Sequence, residues 1–109
     1  MNLHKTVASL IAAQNNHDSQ AYVACFSDTA IVHDEGKAHK GKSEIQRWIE
    51  KSDREYHTEL TPLNYQGTET ESLLTAEVSG NFPGSPAILQ FHFGLKDGLV
   101  SSLSITGMI

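Results

Sequence analysis

Apolar residues recur at three- and four-residue spacing in the first half of the chain and at alternate positions in the second. Leu3, Val7, Leu10 and Ile11 put one buried stripe on a helix over residues 3–15, with Asn2 as its cap. Asn15-Asn16-His17 ends that helix, Asp18 stands at the next N-cap position, and Tyr22, Cys25 and Phe26 repeat helically over 19–26. Ser27-Asp28 reads as a turn, Ala30-Ile31-Val32-His33-Asp34 as a β-branched strand, and Glu35-Gly36-Lys37 as its stop. From Gly41 the period is helical again, with Glu44 near the start and Ile45, Trp48 and Ile49 on one face to about Arg54. Downstream of Tyr56 the pattern predicts strands over 57–66, 72–82, 86–96 and 99–106. Gly67, the segment from Phe82 to Pro86, and Lys96-Asp97-Gly98 separate them, and Asp97-Gly98 is a strong hairpin signal.

Three helices interrupted by one strand and followed by four antiparallel strands is an α+β pattern, in which the helices cover one face of a curved, mostly antiparallel sheet. Strand alternation says which side chains face the helices. Leu89, Phe91, Phe93 and Leu95 point inward, as do Leu74, Ala76, Val78, Gly80 and Phe82, and then Leu99, Ser101, Leu103 and Ile105. Ile88, Gln90 and His92 share the other face with Thr75, Glu77 and Ser79, polar enough for water or for a wet subunit interface. A chain of 109 residues is one domain, 1–109, and its mass predicts a folded surface of about 6,000 Å².

Thirteen acidic against eight basic residues give a net charge of −5, and the basic residues form no arm or stripe, so nucleic acid is not an expected partner. Apolar runs are short, such as residues 10–13, and the N-terminus lacks a charged head followed by an apolar stretch, so no membrane association and a cytoplasmic location are expected. Cys25 stands alone and on a helical apolar pattern, which reads as core packing. The histidines at 4, 17, 33, 39, 57 and 92 include no helical pair at ligand spacing and join no carboxylate cluster, so no metal is expected. Neither a glycine-rich phosphate loop nor a nucleophile elbow is present, and no cofactor is expected.

Several strings carry a family likeness: Asn16-His17-Asp18, the run from Phe26 to Asp34, the run from Gly41 to Trp48, Gly80 to Pro86, and Asp97-Gly98-Leu99-Val100. In these the chain resembles the nuclear transport factor 2-like superfamily, especially its small SnoaL-like members. The resemblance implies a cone-shaped, cystatin-like fold whose sheet wraps the helices around a pocket, commonly dimeric through the outer sheet face. The superfamily holds isomerases, dehydratases, cyclases, epoxide hydrolases and members with no activity, so the fold leaves the chemistry open.

Asp34 is the candidate catalytic residue. A carboxylate at a strand end beside an apolar pocket has its ionised form desolvated and its pKa raised towards general-base values, whereas a plain turn cap would have it depressed. By the resemblance, Val32-His33-Asp34 falls where ketosteroid isomerases carry their proton-shuttling aspartate, while their phenol donor would fall near Leu10 and their acidic donor near Phe91, neither able to donate. His33 neighbours Asp34 in a strand and so faces the other way. Trp48 serves as cavity wall or core filler; Tyr22, Tyr56 and Phe82 offer aromatic bodies, with Tyr22 placed to add a hydroxyl. His39 and His57 flank the third helix near the expected pocket mouth. The expected pocket thus comprises Tyr22, Asp34, Trp48, His57, Phe82 and Phe91. Two functions fit: a pocket protein that binds a small apolar ligand or serves as a dimeric accessory domain, or a cofactor-independent isomerase, cyclase or dehydratase using Asp34 as general acid/base.

Overall fold

In the computed structural model residues 1–107 are described, in the order α1 (Lys5–Asn15), α2 (Ser19–Ala24), β1 (Phe26–Asp34), β2 (Lys37–Lys40), α3 (Gly41–Tyr56), β3 (Glu59–Gly67), β4 (Glu71–Ser79), β5 (Ala87–Lys96) and β6 (Leu99–Gly107). One six-stranded curved sheet runs β2-β1-β6-β5-β4-β3. All neighbours are antiparallel except β1 and β6, which are parallel, so the first strand is inserted beside the last. Helix α3 packs on β1, and α1 packs between β3 and β6. The core they enclose includes Val7, Leu10, Tyr22, Phe26, Ile45, Ile49, Leu74 and Leu103. The accessible surface of 6287 Å² is close to the expected value. Among the described residues no helix is long and apolar enough to cross a membrane.

The first helix starts two residues later than the period suggests. His4, not Asn2, is its cap, with the ring Nδ1 accepting the Thr6 N–H at 3.1 Å. Asp18 caps α2 as expected, accepting the Ala21 N–H at 3.0 Å. That helix ends at Ala24, because the Val100 N–H donates to the Cys25 carbonyl at 2.8 Å and Phe26 already pairs with Val100. Ser27-Asp28 therefore lies inside β1, not in a turn, across an irregularity in the pairing between Phe26 and Ile31. Cys25 is buried, and burial raises its thiol pKa, as suits core packing.

Three further departures follow in the sheet. Lys37 does not end the strand region: Glu35 and Gly36, with φ of 53° and 76°, make a two-residue hairpin into β2, an exposed edge strand without apolar alternation. In β6 the expected parity breaks. Gly94 pairs with Ser102 but Leu95 pairs with Val100, so Ser101 is an extra, bulged residue; Val100 turns inward and Leu99 turns out. Gly94 suits that crowded spot, because a Cβ there would force the Ser102 hydroxyl to move. Beyond the bulge Leu103 and Ile105 keep the inward face. Strand β4 stops at Ser79, so Gly80 and Phe82 belong to the connecting segment, not to the strand.

Candidate functional site

Helix α3 carries a row at four-residue spacing, Trp48, Ser52 and Tyr56, beside Ile49, and this row forms one wall of a cavity of about 370 Å³. Val78, Leu89, Phe91 and Ile105 supply the sheet side, Phe82 and Pro83 reach in from the β4–β5 connection, and Gln14 comes from the end of α1. Tyr56 and Phe82 meet edge-on, with ring centroids 6.1 Å apart. Exposed Glu35 and Pro83 mark the rim.

Asp34 is the half-buried carboxylate of this cavity, inside the exposed Glu35. It is the last residue of β1, pairs with Lys37 across the hairpin, and lies on the inward parity with Ala30 and Val32. Burial raises its pKa above the usual carboxylate range, and the neighbouring Glu35 charge adds to the rise. Hydrogen bonding from the Trp48 side chain, the His39 charge and the Glu35 backbone N–H oppose it without cancelling it. A smaller recess of about 160 Å³ adjoins on the other side of Trp48, sharing Asp34, Ser52 and Tyr56 and adding Lys37, His39, Lys51 and Glu55. His39 stacks on Trp48 there.

Polar groups also line the apolar cavity from α1 and from the residue just before β3. Gln14 and Thr58 are 8% and 6% exposed, and the Gln14 amide donates to the Thr58 hydroxyl at 3.3 Å. Their neighbours hold them. Asn15 donates to the Leu60 carbonyl at 3.0 Å and accepts the Leu60 N–H at 2.7 Å, while the His17 ring meets the Thr58 carbonyl at 3.1 Å. The end of α1 is thereby fixed against the edge strand β3.

Of the residues expected at a pocket, Asp34, Trp48, Phe82 and Phe91 come together in this cavity. Tyr22 and His57 do not line it. Tyr22 is fully buried behind the wall, its ring 6.3 Å from that of Trp48 and 5.3 Å from that of Phe26, and burial, followed by the nearby Cys25 and Asp34, drives its phenol pKa far up. His57 caps α3 in the left-handed conformation, φ 48°, which turns it out to solvent beside His17. Gln14, Ser52 and Thr58 are additions that the apolar pattern passed over. A signal existed for two of them: Gln14 continues the Val7, Leu10, Ile11 stripe, and Ser52 continues the Ile45, Trp48, Ile49 stripe, each as a polar residue on an apolar face. A wider cleft of about 910 Å³ lies by the start of α1, lined by His4, Thr6, Cys25, Tyr65, Glu69 and Leu99 among others, but it holds none of the expected site residues. Among the described residues no group of three His, Cys, Asp or Glu side chains could hold a metal ion.

No family model matches the sequence, and none of the curated proteins does. Solved structures do. A candidate polyketide cyclase from Sinorhizobium meliloti is 34% identical over 95% of both chains, with a TM-score of 0.92. The chain belongs to the nuclear transport factor 2-like superfamily, in its SnoaL-like branch. The superfamily fold extends to a candidate polyketide cyclase from Pseudomonas putida, 19% identical over 100% of this chain and 93% of that one, TM-score 0.84. It extends also to a protein with a ketosteroid isomerase-like fold from Catenulispora acidiphila, solved with trimethylamine, 15% identical over 99% of this chain and 88% of that one, TM-score 0.88.

Proposed function

We propose that the chain binds a small, mostly apolar molecule in the Asp34 cavity and that Asp34 acts there as general base in a cofactor-independent proton transfer of the cyclase or isomerase type. The observation that carries this reading is the Asp34 carboxyl itself, half-buried at a strand end in an apolar-walled cavity and held above the usual carboxylate pKa. A base is most effective when its pKa lies near the working pH, and desolvation by Trp48, Phe82 and Phe91 moves Asp34 in that direction. The likeness to a candidate polyketide cyclase over nearly the whole of both chains supports the same chemistry. A volume of about 370 Å³ is near the small end of ligand pockets and suits a compound of one or two rings.

A second reading, a binding module without turnover, draws on Leu10 and Phe91, which stand apolar where the resemblance to ketosteroid isomerases calls for hydrogen-bond donors. We further propose that the protein is a homodimer through the outer sheet face, where Ile88 is 43% exposed beside Gln90 and His92.

The binding half is tested by titrating the protein with 2-tetralone, a bicyclic ketone, while following the fluorescence of Trp48, the only tryptophan. Saturable change is expected in the wild type and in Asp34→Asn alike. A flat response up to the solubility of the ketone, together with no change in the NMR signals of cavity methyl groups such as Leu89 and Ile105, would count against the cavity as a ligand site.

A further inference from the structure

We infer that Phe82 is the specificity-determining side chain of the cavity, limiting its ligand to two fused rings, and that Gly80, which does not line the cavity, is the positioning residue that holds Phe82 in place. The assignment rests on the cavity being a ligand site and not on any turnover by Asp34. Phe82 enters the cavity from the connection between β4 and β5, so its place depends on how that connection is tied down. Three ties are present. Residues 82–85 form a turn closed by the Ser85 N–H, which donates to the Phe82 carbonyl at 3.2 Å, with Pro83 and Gly84, φ 88°, at the central positions that suit a type II turn. The Ser85 hydroxyl oxygen accepts the Gly80 N–H at 2.9 Å and so closes the segment on itself. The Asn81 N–H donates at 2.7 Å to the carbonyl of Tyr56, the last residue of α3, where helix carbonyls have no partner within the helix.

Gly80 lies between two of these partners. A Cβ there would stand 2.6 Å from the Tyr56 carbonyl oxygen and 3.3 Å from two carbons of the Phe82 ring. The first contact is with helix backbone, which cannot swing aside as a side chain can. Any residue other than glycine therefore lifts the connection off the end of α3 and takes the Phe82 ring with it. With glycine in place the ring packs against the bare Gly80 Cα and meets the Tyr56 ring edge-on. Held by both, Phe82 has nowhere to retreat from a larger ligand. At about 370 Å³ the cavity is near the small end of ligand pockets, so a fixed aromatic wall decides how large a molecule enters. Walls such as Val78, Leu89 and Phe91 belong to paired strands, and Trp48 to α3, which leaves the connection as the part of the cavity whose position one distant residue controls.

The test compares dissociation constants for 2-tetralone and for dihydroanthracenone, the same ketone extended by one fused benzene ring, followed by the NMR shifts of the Leu89 and Ile105 methyl groups. The larger apolar surface would by itself favour the three-ring compound. The expected result is that the wild type binds 2-tetralone at least as tightly, whereas Phe82→Ala prefers the three-ring ketone by about 10-fold or more. Gly80→Ala, which alters no side chain of the cavity lining, should move the ratio in the same direction. Should either variant not fold, Phe82→Leu replaces the first, and Asn81→Pro, which removes the N–H donated to Tyr56, replaces the second. A wild type that already prefers three rings, or a ratio unchanged in the Phe82 variants, overturns the assignment of Phe82 and leaves the cavity standing as a ligand site. A ratio that moves with Phe82 but stays at the wild-type value in the Gly80 or Asn81 variant, even with a lower melting temperature, overturns the positioning role and shows a merely structural glycine. If neither ketone binds, the ligand-site reading itself fails, and this assignment with it.

Discussion

His39 stacks on Trp48, with ring centroids 5.5 Å apart and planes inclined by 27°. Both side chains line the smaller recess with Asp34, and Trp48 also lines the larger cavity, so a charge on His39 is felt by the carboxylate within the recess they share. That charge favours ionised Asp34. Replacing it, in His39→Leu, is expected to raise the Asp34 pKa further and to expose one face of Trp48. A ¹³C titration of the Asp34 carboxyl in both proteins checks this, and an unchanged or lower midpoint in the variant contradicts it.

Asp34→Asn is expected to leave the protein as stable as before or slightly more so at pH 7, while removing activity. The sign follows from linkage. A folded-state pKa above the unfolded one means that the folded protein holds this proton more tightly, so the contribution of Asp34 favours folding below the unfolded pKa and is lost as pH rises through the folded value. Above the folded value that contribution is gone. Thermal melts at pH 7 and at pH 3 should therefore differ: the variant matches or exceeds the wild type at pH 7 and gains less than the wild type from acid at this site. A clear drop in melting temperature at pH 7 would show instead that the carboxylate stabilises its turn.

Asn15→Ala should be among the more damaging substitutions outside the hydrophobic core. The Asn15 amide pairs with both polar groups of Leu60, as a further strand would, and so closes part of the exposed edge of β3. Removing it leaves the Leu60 N–H without its partner, at a cost of about 1–3 kcal/mol. Each kcal/mol corresponds to a fall of roughly 4–8 °C in Tm for a domain near this size. A melting temperature within a degree of wild type would sink this account of the α1–β3 junction.

How much of this was legible in the sequence depends on whether the information was local. The helical stripes through Val7, Leu10 and Ile11 and through Ile45, Trp48 and Ile49, and the alternation in β4 and β5, are local patterns, and the structure has them. The start of β1 at Phe26 is set by parallel pairing with Val100, more than seventy residues away, and no local pattern reveals it. Strand β2 was illegible because Lys37, Ala38 and Lys40 are all exposed, so burial leaves no mark on them. The parity of β6 turns on the single bulged residue Ser101. For the site, a carboxylate ending a strand and a tryptophan on a helical apolar face were readable. Gln14 and Thr58 were harder, because an isolated polar residue on an apolar stripe looks like an interruption until the strand that pairs with it is in place.

The outer sheet face gives a separate expectation. If copies associate there, Ile88→Glu puts two like charges into a symmetric interface and should convert a dimer to monomer at micromolar concentration with the fold retained. Sedimentation of both proteins decides it. A wild type that sediments as a monomer across that range contradicts the proposed dimer without touching the cavity.

The central claim is that Asp34 removes a proton from carbon in a molecule held by this cavity, and one measurement addresses it without knowledge of the natural substrate. Exchange of the α-hydrogens of 2-tetralone for deuterium in buffered D₂O, followed by proton NMR, reports proton abstraction directly. The expected result is that the wild type accelerates exchange in a saturable way and that Asp34→Asn, still folded and still binding the ketone, exchanges at the rate of buffer alone, a loss of about 10²-fold or more. Equal exchange rates in the wild type, in Asp34→Asn and in buffer, with binding intact, would contradict the claim and leave the protein a binding module.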